Sequence, residues 1–155
     1  MTVCLTCFLE KLGIPRDRIL LNLQEGVEEI NSFVDVDGSL LMFELKDSEF
    51  SMGRAYPFSG RIGLYKPAFA FIVSTKGVAP EVKEYFRRVK PTTEIVYIEN
   101  LRELESVLQE IIGKVRLRKA QELISLFGPM ASVQVPLDQL VSAKLGVDNK
   151  ARRQH

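Results

Sequence analysis

An Asp37-Gly38 pair separates two apolar runs, residues 27–36 and 39–46, and it constrains the fold more than any other feature of the sequence. A two-residue hairpin turn that matches the twist of its strands needs positive φ at both central residues, and Asp-Gly is one of the pairs that adopt it most readily. The pair therefore predicts an antiparallel hairpin. It also fixes the register, because a slip of one residue would turn every side chain to the opposite face.

The predicted register brings four polar side chains together at the open end of this hairpin. Asn31 falls opposite Glu44 and Glu29 opposite Lys46, all on one face of the two strands. Side chains directly opposite one another lie about 5 Å apart at Cβ, close enough to share one cation. Two oxygen ligands suit Mg²⁺, which keeps several waters, and a neighbouring lysine can orient one of them. The alternative is a Glu29–Lys46 ion pair worth less than about 1 kcal/mol.

The second half of the chain alternates strands with helices. Residues 68–74 are a continuous apolar run, typical of a strand buried on both faces, and 93–98 is a second such strand. Pro80 begins a helix between them, and Asn100 caps a helix that extends to about residue 114. Together with the hairpin this order predicts an α/β fold, a mixed β-sheet flanked by helices. The other predicted elements are a helix over 7–12, a strand over 18–23, an irregular helix over 48–65, a helix over 116–126, and a strand and helix within 133–145.

Length and composition predict a globular domain with a small extension. The chain has 155 residues, 46% of them hydrophobic and 26% charged, which suits one core domain over residues 1–114 and a small helical C-terminal extension over 115–155. It has no run of about 18 apolar residues and no signal-peptide layout, so we expect a cytoplasmic protein without membrane contact. The net charge of +1 excludes a global basic field. From Glu110 onward, however, eight Lys and Arg outnumber four acids, which gives a basic tail.

The order of these elements resembles a known superfamily. The predicted order is a helix, a strand, a hairpin that ends in Glu44-Leu45-Lys46, and then a helix, a strand, a helix and a strand. This order resembles the restriction-endonuclease-like PD-(D/E)xK fold, in its Holliday-junction-resolvase and Mrr-like branch. The resemblance covers roughly residues 7–112. It implies a nuclease that hydrolyses DNA phosphodiester bonds with Mg²⁺ or Mn²⁺. It also implies that Glu44 binds the metal and that Lys46 positions the attacking water.

The resemblance also suggests the other metal ligands, and one of them departs from the family pattern. Glu29-Ile30-Asn31 stands where relatives have Glu-Ile-Asp, so Asn31 occupies the position of the metal-binding Asp. Glu10 resembles a further acid on the first helix that helps to hold the metal in this branch of the superfamily. An amide oxygen can ligate a hard cation but lacks the negative charge that favours Mg²⁺. Three readings remain open: an active nuclease in which an acid such as Glu29 compensates, a non-catalytic DNA-binding or assembly module, and an interaction domain that forms a dimer.

Four further residues are candidates for substrate binding. Arg54, Arg61 and Tyr65 lie on the segment after the Glu-x-Lys strand, and Arg61 and Tyr65 are one helical turn apart. Lys76 follows the apolar strand at its carboxyl end, where loops of such sheets often meet ligands. Ordinary surface or turn positions are the alternative for all four. A DNA-binding protein of this type would be expected to form a two-fold homodimer.

Cys4 and Cys7 have the spacing of half a zinc site. Tetrahedral zinc needs two more ligands, but the chain has no third Cys and its single His is His155. We therefore expect plain thiols rather than zinc within this chain alone.

Overall fold

The structure, a computed structural model, describes the backbone of residues 2–25 and 28–127 and the side chains of 5–21 and 32–126. The strand and helix predicted within 133–145 and the basic tail lie outside these residues. The chain divides into two compact units, Met1–Ser106 and Val107–His155. The described helices and strands are α1 (Thr2–Lys11), β1 (Ile19–Glu25), β2 (Glu28–Val36), β3 (Ser39–Lys46), α2 (Met52–Tyr65), β4 (Phe69–Ser74), α3 (Pro80–Val89), β5 (Glu94–Ile98) and α4 (Leu104–Phe127).

The five strands form one sheet in the order β1-β2-β3-β4-β5. The first three strands are antiparallel, whereas β3, β4 and β5 run parallel to one another. The predicted α/β fold with a mixed sheet is therefore confirmed. The parallel half follows from the helices between its strands, since a parallel pair needs a crossover connection.

The hairpin turn is built as the Asp-Gly pair predicts. Asp37 has φ 51° and Gly38 has φ 84°, the two positive values that a type I′ turn requires. The Gly38 N–H donates a 2.7 Å hydrogen bond to Asp35 Oδ1, which further fixes the turn. Val36 pairs with Ser39 and Phe33 with Met42, so the register is confirmed as far as the pair Ser32 and Phe43. The side chains of Glu29 and Asn31 lie outside the described residues, so their predicted positions stay predictions.

Both faces of the central strands are buried. On one face Met42 and Ile72 belong to a core cluster with Phe58 of α2 and Phe86 of α3. On the other face Phe43 and Phe71 stack nearly parallel, with ring centroids 4.3 Å apart, and both are fully buried. Burial on both faces explains why β4 is apolar from Phe69 to Val73.

Helix α2 is regular where the sequence predicts an irregular helix. It begins after Ser51 and continues through Pro57, although an internal proline removes one backbone hydrogen bond. Ala55, Phe58 and Ile62 are its buried residues, at the spacing of one helical face. The burial of this apolar stripe outweighs the low helix propensity of the proline and the glycines, because helices in proteins are stabilised mainly by packing.

Helix α4 corrects the prediction of two helices around residue 114. It is continuous from Leu104 to Phe127 and follows a short 3-10 turn capped by Asn100, whose side chain accepts the Arg102 N–H at 3.1 Å. No proline occurs within α4, and its second half is rich in Leu, Arg, Lys, Gln and Glu, all good helix formers. The change of pattern at residue 114 therefore alters the helix surface without ending the helix. Within the described residues, no helix combines the length and the apolarity needed to cross a membrane.

Candidate functional site

Glu44, Lys46 and Arg61 form a compact charged group on the face of the sheet that α2 covers; we call it the Glu44 cluster. The Glu44 carboxylate is 3% exposed. Lys46 Nζ lies 3.2 Å from its Oε1, and Arg61 Nη2 donates to its Oε2 at 3.0 Å. Among the described side chains, a buried carboxylate is thus held between two cations.

Strand alternation and helix packing place these three side chains. Glu44 and Lys46 are two residues apart in β3 and point to the same face as Met42, which lies in the core beneath α2. Arg61 precedes the buried Ile62, at the edge of the apolar stripe of α2. Its side chain is 11% exposed and that of Lys46 is 21% exposed. Lys46 is therefore the member of the cluster with most access to solvent.

The cluster lies near the carboxyl ends of the parallel strands β3 and β4. Lys46 pairs with Ser74, and the Thr75 N–H donates to the Lys46 carbonyl at 3.1 Å. Ser74 Oγ donates to the Ser48 carbonyl at 2.7 Å and accepts the Lys76 N–H at 3.3 Å. Loops at this end of parallel strands commonly bind ligands in α/β proteins.

The described residues do not by themselves fit a metal centre. Mg²⁺ is bound by several oxygens in near-octahedral geometry, and Glu44 is the one carboxylate that they contribute to the cluster, with a cation beside each of its oxygens. No group of three Asp, Glu, His or Cys side chains within the described part of the chain could hold a metal ion. Glu10, the predicted ligand from α1, is exposed and pairs with Arg16 at 3.8 Å. The two remaining predicted ligands, Glu29 and Asn31, belong to β2 but have no described side chains.

The predicted substrate-binding residues occupy different environments. Arg54 is exposed on α2, and Lys76 is exposed in the loop after β4. Tyr65 is half-buried and its ring packs edge-on against Phe33, with centroids 4.9 Å apart. Only Arg61 joins the Glu44 cluster. Its contact with Glu44 was not predicted, although its place beside the buried stripe of α2 is a signal that could have suggested it.

A second charged contact that the sequence did not suggest lies after β5. Glu99 accepts a 2.6 Å hydrogen bond from Lys83 Nζ and a 2.7 Å bond from the Val78 N–H. The Lys83 ammonium and then the Val78 amide lower the pKa of the Glu99 carboxyl below its usual value. Glu99 thus ties α3 to the loop after β4.

The comparisons with known proteins concern the fold alone. No family model and no curated protein matches the chain. Two solved structures are similar to it. One is the protein of unknown function AF1548, at 14% identity and a TM-score of 0.47, with 94% of this chain and 95% of that one covered. The other is protein VC1899 from Vibrio cholerae, at 15% identity and a TM-score of 0.50; the match covers 72% of this chain and 32% of VC1899.

Proposed function

We propose that this protein binds nucleic acid, with DNA as the expected partner, and that the Glu44 cluster contacts a phosphodiester group. The observation that carries the proposal is the buried carboxylate that holds Lys46 and Arg61 side by side at the carboxyl end of β3. Phosphate contacts from Lys and Arg supply most of the affinity of nucleic-acid-binding proteins. The resemblance of the Glu44-Leu45-Lys46 hairpin to the PD-(D/E)xK superfamily supports DNA as the partner.

In this proposal Glu44 positions the two cations. Its carboxylate oxygens fix the Lys46 ammonium and the Arg61 guanidinium, so little side-chain entropy is lost when a phosphate oxygen arrives. Lys46 is the more exposed of the two and makes the first contact. Because the cluster is largely shielded from water, its attraction for an anion is stronger than that of the same charges on an open surface.

Metal-dependent hydrolysis of DNA is the second candidate function. It is favoured by the adjacency of Glu44 and Lys46 at the end of β3, the pair that the superfamily uses for metal binding and for orienting water. Mg²⁺ or Mn²⁺ would supply Lewis-acid stabilisation of the phosphate. The other predicted ligands, Asn31, Glu29 and Glu10, would have to complete the coordination of Glu44. Asn31 is the critical one, because its amide brings no charge.

DNA binding is tested by fluorescence anisotropy with labelled DNA in the presence of EDTA, over a range of salt concentrations. We expect Lys46→Gln to weaken binding by about fivefold to tenfold. The slope of log affinity against log salt concentration should also become shallower, by the amount that corresponds to about one lost phosphate contact. Lys66→Gln is the control, since Lys66 is an exposed lysine at the end of α2. Equal affinities of the two variants, or no binding by the wild type, would contradict the proposal.

Hydrolysis is tested by comparing the wild type with Asn31→Asp for Mg²⁺ and Mn²⁺ binding and for cleavage of mixed DNA substrates. If only Asn31→Asp binds metal and cuts, the natural chain is a binding module on a nuclease fold. If both cut, the protein is an enzyme in which another acid, such as Glu29, replaces the missing charge. If neither binds metal while both bind DNA, the second candidate is wrong and the first stands.

A cytoplasmic location and a homodimer belong to the same proposal. A two-fold dimer would present two Glu44 clusters to the two strands of a duplex, whose backbones are related by the same symmetry. Sedimentation equilibrium of the chain with and without duplex DNA measures this directly. A monomer in both conditions would contradict the dimer.

A further inference from the structure

We propose that the groove between α3 and β5 holds one nucleotide of a single-stranded nucleic acid. This inference rests on the proposed function and adds to it a second contact, outside the Glu44 cluster. The groove has a volume of about 300 Å³. Its lining includes Lys83, Phe86, Arg87, Lys90, Ile95 and Tyr97.

The lining combines three cations with an apolar floor and contains no acid. Lys83 and Arg87 are four residues apart and therefore lie on one side of α3, and Lys90 follows directly after the helix. An anion is the charge-complementary occupant. Arg87 already forms a bidentate pair with Glu84, with Nε and Nη2 each 2.8 Å from a carboxylate oxygen; the pair is exposed, and a phosphate offers the guanidinium the same bidentate geometry.

Aromatic rings make up much of the floor. Ile95 and Tyr97 alternate along β5 and share a face, and Phe86 of α3 is buried in the core cluster next to them. Lys83 Nζ lies over the Tyr97 ring, 5.7 Å from its centre, and donates a 2.6 Å hydrogen bond to Glu99 Oε2. The groove therefore presents a fixed ammonium beside an aromatic surface, the combination that binds the phosphate and the base of an unpaired nucleotide.

The shape of the groove favours a single strand over a duplex. The bases of a duplex are stacked and paired inside it, and its phosphates lie on a convex surface, so a concave groove of this size could reach only the backbone. An unpaired nucleotide can place its base on the floor and its phosphate at the cations. An acidic peptide would satisfy the cations but would leave the aromatic floor without a flat ring to contact.

The test is fluorescence anisotropy of the full chain with a labelled oligothymidine of about 12 nucleotides, within the range of known single-strand sites. Lys90→Gln is compared with Lys66→Gln. Both lysines end a helix in the left-handed conformation with φ 47°, so the two changes are matched in backbone and exposure, and only Lys90 lines the groove. We expect Lys90→Gln to weaken binding about threefold to tenfold and Lys66→Gln to leave it unchanged.

A second pair of variants tests the aromatic floor. Tyr97→Leu should weaken oligothymidine binding about tenfold, whereas Tyr97→Phe, which keeps the ring, should bind like the wild type. Circular dichroism shows whether Tyr97→Leu has folded; if it has not, the comparison of Lys90 with Lys66 decides. A duplex of the same length should respond to neither Tyr97 variant.

The other outcomes separate this inference from the proposed function. If oligothymidine binds and Lys46→Gln weakens it while the Lys90 and Tyr97 variants do not, the groove is not a nucleotide site and the proposed function stands. If inorganic phosphate or polyglutamate competes as well as the strand does, the occupant is a small anion or an acidic peptide, and the inference is wrong. If no nucleic acid binds to the wild type, both are wrong.

Discussion

Replacing Glu44 by glutamine tests the Glu44 cluster most directly, because the two side chains have the same shape and differ in charge. Lys46 and Arg61 lie 3.2 Å and 3.0 Å from the carboxylate oxygens. At an effective dielectric constant of about 20, each contact corresponds to about 5 kcal/mol of attraction before the cost of burying the three charges is subtracted. The net effect of removing the carboxylate is therefore smaller than this sum.

We expect Glu44→Gln to lower the free energy of unfolding by about 3 kcal/mol. Removing one partner of a buried ion pair costs about 3–5 kcal/mol, because the remaining charge is left without compensation. The lower end of the range applies here, since the Lys46 side chain is 21% exposed and can turn partly to water. For a chain of this length the loss corresponds to a fall in Tm of roughly 6–12 °C.

Urea unfolding followed by circular dichroism measures the effect, with Glu10→Gln as the control. Glu10 pairs with Arg16 at 3.8 Å and both are exposed, so that change should cost less than about 0.5 kcal/mol. A stability loss no larger than that of the control would refute the reasoning.

Two further predictions concern the rest of the fold. Phe71→Ala should lower the free energy of unfolding by about 3–5 kcal/mol, because Phe71 stacks on Phe43 and both are fully buried. Urea unfolding measures this loss, and a value below about 1 kcal/mol would contradict the packing. Glu99→Gln should lower stability near neutral pH but not in acid. Lys83 and the Val78 amide lower the pKa of folded Glu99 below its usual value, so the unfolded chain binds more protons in mild acid. The stabilisation is therefore lost as pH falls through the folded pKa. The free energies of unfolding of the two proteins, measured from about pH 7 to about pH 3, should therefore converge at the acidic end. A difference between them that stays constant over this pH range would count against the contact.

The hairpin could be predicted from the sequence because its determinants are local. Asp37-Gly38 specifies the turn, and the turn specifies the register that the structure shows from Val36 to Ser32. The contact between Arg61 and Glu44 could not be predicted in the same way. It depends on how α2 rotates over the sheet, and the proline and glycines of α2 hide the helical period that would reveal the rotation.

The groove between α3 and β5 was missed for a related reason. Lys83 and Tyr97 belong to elements that are separate in sequence and meet only because β5 pairs with β4 and α3 packs on the same face. Counting charges along the sequence does not reveal this arrangement, because the residues that line the groove come from separate elements. A basic and aromatic surface made from two elements therefore leaves little trace in composition, since the net charge of the whole chain is only +1.

In the proposed function the Glu44 cluster serves binding rather than stability, and the cost of burying charge makes this distinction testable. Replacing a whole buried ion cluster by apolar residues of similar volume is often neutral or stabilising, whereas removing one member is destabilising. The triple variant Glu44→Met, Lys46→Met, Arg61→Leu should accordingly unfold within about 1 kcal/mol of the wild type, and it should lose the salt-dependent DNA binding attributed to the cluster. Urea unfolding and anisotropy on the same preparation separate the two properties. If the triple variant folds as well as the wild type and binds DNA equally well, the charges have no part in binding. If it is strongly destabilised, the three residues hold α2 on the sheet and their role is structural.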